Sequence, residues 1–481
     1  MVFSDLFFIF AFLPAFFLSY LIAYFIDRKI LKNNNDINSK AKNWVLVFFS
    51  FIFYAWGEPV YVFLMLICVV FNFISGRIID RQDKHRKAAL IGGLICNLLI
   101  LAIFKYAGFL TETVNSLGLN LPIPKIALPI GISFYTFQSI SYLIDVYRKE
   151  APAQKNYFNL LLYISMFPQL IAGPIVRYNT IAKEIHKRNV TSDDVAEGIF
   201  RFLIGLGKKV IIANQFSELS DQFLANGVNN ITTTGAWIGA VAFTLQIYFD
   251  FSGYSDMAIG LGRAIGFHFN ENFKHPYCCD SISDFWRRWH ISLGSFFRDY
   301  LYIPLGGNRK HQFLNILVVW FLTGMWHGAS WNFIIWGLYF GLIVSIEKYT
   351  LLKGKDKIPA VLLHCYSIIL IVLGWVIFYF DDFGKMTHCL GAVFGQANSF
   401  HDVITTNAIT DNFILWVVAI IFCMPVREWA LNMTDKFINK DSSLSLNIKL
   451  VTKIIVSVFI LFTSIALLVG ATNNAFLYTR F

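Results

Sequence analysis

Apolar runs of about membrane-spanning length, separated by short basic loops, set the pattern of this chain. A spanning helix needs about 20 apolar residues. Segments 6–26, 60–79, 88–109, 358–380, 413–432 and 450–470 meet that length. Segment 44–56 is shorter and ends on the turn Trp56-Gly57-Glu58-Pro59, so it is expected to form a helical hairpin with 60–79. Segment 127–147 carries Pro129 and Gly131 and is still able to span. Segment 157–176 is interrupted by Pro168, Gly173 and Pro174 and has basic residues on both flanks, Arg148, Lys149 and Lys155 before it and Arg177, Lys183, Lys187 and Arg188 after it. Both flanks are therefore expected in the cytosol, and the segment reads as re-entrant. Broken backbone at membrane depth is tolerated only inside protein or beside a water-filled cavity, so this segment is expected to line the working cavity. Residues 201–227 and 236–256 then go up and return. Region 267–312 is polar, basic and rich in Trp and Phe, which predicts short amphipathic helices on the inner surface. Segments 313–327 and 330–347 form a second hairpin.

The basic residues fix an expected topology. Loop 27–43 holds Arg28, Lys29, Lys32, Lys40 and Lys42; loop 57–59 holds none; loop 77–87 holds Arg77, Arg81, Lys84, Arg86 and Lys87; loop 110–126 holds only Lys125. Positive residues favour the cytosolic side, so the N-terminus is expected outside. The cluster Lys348, Lys353, Lys355 and Lys357 returns to the cytosol, loop 381–412 faces outward, Arg427, Lys436 and Lys440 face inward, and the C-terminus ends outside. The segment Met1–Ile26 lacks a basic leader and a small-residue cleavage site, so it is expected to be a first transmembrane helix and not a removed signal peptide.

Composition agrees with this pattern: 56% hydrophobic and only 15% charged residues, against about 25% charged in soluble domains. The net charge of +10 sits in short loops and reads as membrane topology, not as a nucleic-acid footprint. The seven cysteines are scattered, mostly in apolar runs, and show no disulfide framework; the adjacent Cys278 and Cys279 read as reduced cytosolic thiols. No fixed-period repeat appears, which argues against an inverted-repeat transporter. The whole of 1–481 reads as one membrane domain.

One ionisable side chain, His327, interrupts the apolar run from Phe313 to Ile346. Ionisable groups are costly in a bilayer and mark functional sites, and imidazole moves protons near neutral pH. A helix from Phe313 rises about 1.5 Å per residue, which puts His327 roughly 20 Å above the cytosolic end. Gly328-Ala329-Ser330 beside it leaves room for a substrate. The alternative is a structural histidine bonded to a neighbouring helix. His290, in Asp284-Phe285-Trp286-Arg287-Arg288-Trp289-His290, is a second candidate; Arg287, Arg288 and the later Arg298 suit a cationic entrance for an anionic donor, or else simple headgroup anchoring. His268, His275 and His311 show no metal-ligand spacing, and no metal is expected. Asp250 and Asp256 lie in or near a membrane segment but do not share a helix face; a structural role is at least as good a reading as catalysis. Lys105 is expected to snorkel near a helix end.

Taken together, Phe53 to Pro59, Phe167-Pro168-Gln169-Leu170-Ile171-Ala172-Gly173-Pro174, Tyr248 to Ile259, Asp284 to Arg309, Trp326-His327-Gly328 and the tail Phe476 to Phe481 resemble the membrane-bound O-acyltransferase family, and within it the alginate O-acetyltransferase type. The resemblance implies an all-α polytopic membrane fold of about eleven transmembrane helices, plus re-entrant and amphipathic helices, around a central tunnel. It implies His327 and His290 as catalytic residues, and acetyl-CoA as a cytosolic donor. It implies transfer to an extracytoplasmic polysaccharide such as alginate or peptidoglycan in a bacterial inner membrane, with an outer-face partner of the SGNH-hydrolase type. Trp286, Arg287, Arg288, Arg298, Asp250, Trp326, Trp331 and Asn332 are expected to line the donor site or tunnel. D-alanyl transfer to teichoic acid, and a non-catalytic transporter or scaffold, are the competing readings.

Overall fold

The computed structural model describes residues 1–29, 39–81, 84–437, 443–471 and 476–477. Lys32, Lys440 and residues 478–481 of the aromatic tail, all named above, lie outside the described residues, as do the side chains of Arg427 and Lys436. The described residues are helical, with no strand among them. They divide into two compact units, one comprising Met1–Phe202 and Tyr254–Asn270, the other Leu203–Gly253 and Glu271–Leu477.

Six helices among the described residues are long and apolar enough to cross a membrane: Phe8–Lys29, Tyr61–Asp80, Arg86–Asn115, Trp331–Lys357, Ala360–Tyr379 and Asn447–Gly470. Val403–Thr410 and Phe413–Phe422 make a seventh candidate, bent by 60°. This corrects the expected span 413–432. The helix stops at Phe422, and a new one starts at Val426. Pro425 lacks the amide that would continue the ladder. Lys105 is also corrected: its helix runs to Asn115, so the lysine sits within the span, buried, and not near its end.

In the first unit, Asp27 accepts from the amides of Ala41 (2.8 Å) and Lys42 (3.1 Å) and so starts the helix Lys40–Ala55. Asn72 and Asn97 exchange side-chain hydrogen bonds (3.1 and 2.8 Å) between Tyr61–Asp80 and Arg86–Asn115. Amide pairs of this kind join helices where lipid offers no hydrophobic driving force. Gly131 lies at φ +78°, with the Leu170 carbonyl oxygen 2.6 Å from where a Cβ would stand. The helix after it therefore begins only at Ile132, and Pro129 stays in the preceding loop. The 157–176 segment breaks as expected: Tyr157–Ser165 ends at Met166 (ψ 116°), and Phe167–Leu170 follows. Protein groups satisfy it: the Phe167 amide donates to Ser50 Oγ (3.0 Å), Gln169 Nε2 to the Tyr163 carbonyl, and Tyr163 Oη to the Val176 carbonyl (2.9 Å). Leu160 to Leu170 are all buried, so the break in this segment lies inside protein.

In the second unit, Gln312–His327 and Trp331–Tyr349 form the expected hairpin. Its two helices touch backbone to backbone. A Cβ on Gly324 would sit 2.3 Å from the Phe333 carbonyl oxygen, and one on Gly337 2.3 Å from that of Trp320. Region 267–312 breaks into short helices, Ile282–Arg288 and Ile291–Phe297 among them. Glu347, fully buried, accepts from the first amides of Ile282–Arg288, those of Ile282 (2.6 Å) and Ser283 (2.7 Å). An anionic oxygen at a helix start meets both the orphan amides and the helix dipole. Lys355 pairs with Asp280 (2.6 Å), and His364 Nδ1 lies 3.0 Å from the Cys279 carbonyl. The short helices are thus pinned to the spanning ones. All seven cysteines are free thiols.

The close glycine contact carries a prediction. Gly337→Leu forces the hairpin apart, and overpacking of this kind costs about 1–3 kcal/mol or more; the melting temperature of the detergent-purified protein is expected to fall by several degrees. Gly92→Ala, where a Cβ meets nothing within 4 Å, is expected to leave it unchanged. Equal melting of the Gly337→Leu and wild-type proteins would show that the hairpin tolerates separation.

Candidate active site

Both candidate histidines lie in the second unit, and the structure brings them to one tryptophan. His327 is the last residue of Gln312–His327. The helix ends there because Gly328 adopts an extended conformation (φ −164°, ψ 159°), and a Cβ on Gly328 would collide with the Phe333 ring. His327 is buried, and three rings face it: Trp326 at 4.9 Å, Trp336 at 4.9 Å and Phe378 at 5.4 Å between centroids. Trp326 also lies 5.9 Å from the ring of His290.

His290 joins Ile282–Arg288 to Ile291–Phe297 and adopts a left-handed conformation (φ 44°, ψ 53°). Such a conformation is strained for a residue with a Cβ and persists only where surroundings enforce it. Here its Nδ1 lies 3.1 Å from Asn272 Oδ1, and Phe251 stands edge-on to its ring at 4.7 Å. The imidazole is fully buried, and burial pushes its pKa down from 6.5 to about 3. His290 is therefore neutral across the physiological range.

A wall of tryptophans surrounds these groups. Trp286 packs on Trp320 (4.7 Å), Trp336 (5.5 Å) and Phe340 (5.0 Å); Trp289 packs on Trp375 (4.9 Å); Phe378 packs on Trp336 (5.2 Å). Asn332, also fully buried, donates to the Phe378 carbonyl (3.3 Å) and so ties one wall of the His327 site to the start of the next helix. Such surroundings hold the local dielectric low and strengthen any dipole aimed at a reacting carbonyl.

The other predicted residues fall in different places. Trp331 starts its helix and is 46% exposed, unlike the buried Trp326 and Trp336. Asp250 is buried, 2.6 Å from Lys209 Nζ, and accepts from the Leu477 amide at 2.8 Å. It holds helix Thr233–Ala264 in register and thereby seats its neighbour Phe251 on His290. Asp256 belongs to the first unit, where it pairs with Arg201 at 2.8 Å. Arg288 is held by Asp284 (2.9 Å) and Arg298 by Asp299 (2.6 Å), while Arg287 is exposed. Lys348, which donates to Asn308 Oδ1 (2.9 Å), is close enough to Arg287 for their charges to interact. Among the described residues no group of three or more His, Cys, Asp or Glu side chains is arranged to hold a metal.

Sequence reasoning missed Asn272, Lys209, Trp336, Trp375 and Phe378. Lys209, Trp375 and Phe378 reach the histidines or their neighbours from distant parts of the chain, Asn272 from 18 residues away, and Trp336 from the facing helix of the hairpin. The two asparagines of Asn270-Glu271-Asn272 next to an aromatic residue were the one local signal available.

Residues 146–352, which include both histidines, match the family model described as the membrane-bound O-acyltransferase family. The chain is 42% identical to the protein named probable alginate O-acetylase of Pseudomonas syringae pv. tomato over 413 residues, covering 84% of this chain and 76% of the relative. It is 37% identical over 414 residues to the peptidoglycan O-acetyltransferase of Helicobacter pylori, covering 79% and 77%. It is 28% identical over 291 residues to the teichoic acid D-alanyltransferase of Bacillus subtilis, covering 57% and 72%. Read with the buried histidines and the long apolar helices, these similarities establish that the chain belongs to the membrane-bound O-acyltransferase family and is a multi-pass membrane acyltransferase.

Proposed function

We propose that this protein takes acetyl groups from a cytosolic thioester, acetyl-CoA, and moves them across the membrane onto an acceptor hydroxyl, for O-acetylation of a polysaccharide outside the cytosol. The observation that carries this reading is the meeting of His327 and His290 on Trp326 inside a buried aromatic wall, in a chain whose relatives at 37–42% identity are named for O-acetylation. His327 takes the proton of the acceptor hydroxyl as its oxygen attacks the acetyl carbonyl. The carbon–sulfur bond then breaks and the thiolate leaves. Positioning two reactants at one buried point supplies much of the acceleration, and general-base help adds typically about 100- to 10,000-fold. Arg287, with Lys348 beside it, and the carboxylate-held Arg288 and Arg298 receive the donor's phosphates. The buried segment around Trp326, Trp336 and Phe378 receives its two-carbon end.

The alternating basic loops support a bacterial inner-membrane protein with both termini outside the cytosol. The final transfer to the glycan falls to an outer-face partner of the SGNH-hydrolase type, as the resemblance implies. D-alanyl transfer is the weaker reading, because the relative named for it matches at 28% over a shorter stretch.

Two outcomes are expected. His327→Ala should lower acetyl ester on surface glycans at least about 100-fold while the protein stays folded in the membrane. Membrane vesicles carrying the wild-type chain should consume acetyl-CoA. Unchanged ester in the variant removes His327 from the mechanism, and consumption of a D-alanyl thioester with acetyl-CoA untouched selects the other reading. The second outcome concerns pH. The unfolded chain protonates His290 near its ordinary value of 6.5, and the folded chain only near 3. The stabilisation is therefore complete above pH 6.5 and is lost as pH falls from 6.5 toward 3, amounting to roughly 2 kcal/mol by about pH 5. The melting temperature in detergent should fall over this window, and His290→Gln should flatten the fall. An equal slope in both proteins would assign the pH effect to other groups.

A further inference from the structure

Asn272 is fully buried, and three polar atoms converge on its side-chain oxygen. The Ser292 amide lies at 3.3 Å, Ser292 Oγ at 2.8 Å and His290 Nδ1 at 3.1 Å. The Ser292 amide can only donate, so the atom it faces must be the oxygen of Asn272 and not its NH2; a flipped amide would set donor against donor. An oxygen can only accept. The nitrogen of His290 facing it must therefore carry the hydrogen. Ser292 Oγ, 3.4 Å from the same Nδ1, spends its own hydrogen on Asn272 and offers Nδ1 a second acceptor.

The main chain does the same work on the backbone. The carbonyl of Asn272 accepts from the Ile291 amide (3.0 Å), and the Lys274 amide donates to the Arg288 carbonyl (2.9 Å). These bonds grip the chain on both sides of His290, the residue held at positive φ. Asn272 thus fixes both the backbone and the ring of His290.

We propose that Asn272 is a positioning residue for the acyl transfer: it locks His290 in the neutral tautomer with hydrogen on Nδ1, so that Nε2 serves only as a hydrogen-bond acceptor toward the reacting groups. This rests on the acyl-transfer reading above and divides the labour between the two histidines. A lone-pair nitrogen orients a hydroxyl or thiol by accepting from it. It gives nothing to a developing oxyanion, so His290 is not the group that stabilises that charge. Burial keeps the ring from gaining a second proton that would change this role. The ionisable groups around it leave the assignment intact. Asp250, next to Phe251 on Thr233–Ala264, is neutralised by Lys209; Asp284 on Ile282–Arg288 is held by Arg288; His327 on Gln312–His327 stands beyond Trp326.

The test uses the full-length protein in detergent or vesicles. Nitrogen-15 spectra of histidine-labelled protein, with the His290 signals assigned by their loss in His290→Gln, should show hydrogen on Nδ1 in the wild type and in Ser292→Ala. Asn272→Ala should lower kcat about 10-fold or more with KM little changed, the size typical of losing a partner that orients a functional imidazole. Asn272→Asp keeps the acceptor and adds a charge that favours protonated imidazole. It should restore most of kcat at high pH, with the acid limb of the pH–rate profile moved up by about one unit or more. Hydrogen on Nε2 in the wild type overturns the proposal. So does an Asn272→Ala protein that keeps wild-type kcat, or an Asn272→Asp protein whose activity falls with an unmoved pH profile. Should both Asn272 variants fail to fold, the wild-type and Ser292→Ala spectra decide alone. The Nδ1–H tautomer in a protein that consumes no acetyl-CoA would uphold Asn272's hold on His290 while sinking the acetyl reading.

Discussion

Backbone groups freed where a helix breaks inside this protein need partners from the protein, because the surrounding lipid and packed aromatic rings offer none. The consequence is visible at each irregular point. Where the 157–176 segment breaks, Ser50 and Tyr163 take up its backbone groups. Where Ile282–Arg288 begins, Glu347 reaches from a spanning helix to its first amides. Where His290 turns through positive φ, Asn272 holds it by side chain and main chain together. These are the places where the chain departs from plain spanning helices, and two of the three frame the histidines.

The same constraint shapes the chemistry. Buried against Trp326 and Phe251, the His290 imidazole stays neutral and able to accept, because burial disfavours its charged form. The rings also exclude water, which would compete with an acceptor alcohol for a thioester. Asp250 could not be tolerated in such a place as a lone carboxylate. Its pairing with Lys209 and with the Leu477 amide turns it into a support that sets Phe251 against His290. Removing one partner of such a pair leaves an uncompensated buried charge, which is far more damaging than losing the pair as a whole.

How much of this was legible beforehand depends on the range of the interaction. The hairpin around His327 was readable because an apolar run with one imidazole and a Gly-Ala-Ser turn is a local pattern, and the structure keeps its bounds to within a few residues. The broken segment was readable from Pro168, Gly173 and Pro174. Span 413–432 is apolar throughout its first half, yet its helix stops at Phe422, because Pro425 lacks the amide that would continue it. Lys105 was misplaced because the helix continues past the apolar window to Asn115. Asn272 offers only the cluster Asn270-Glu271-Asn272 as a local signal, and Phe378 offers none. Asn272 meets His290 18 residues away and Phe378 meets His327 from another helix, and nothing in a hydropathy pattern encodes which asparagine meets which ring.

That difference bears on how the two histidines divide their work. His327 closes the 16-residue helix Gln312–His327, so its height above the start of that helix follows from helix rise alone. His290 has no such geometric guarantee. It sits between two short helices, each of seven residues, too short to be stable without tertiary support. Its placement depends on Glu347 at one end, Asn272 in the middle and Phe251 on the ring. A group so thoroughly held by others is suited to orienting a reactant, where small displacements matter, more than to carrying charge through a reaction. In the proposed acyl transfer, proton removal then falls to the imidazole at the end of the helix.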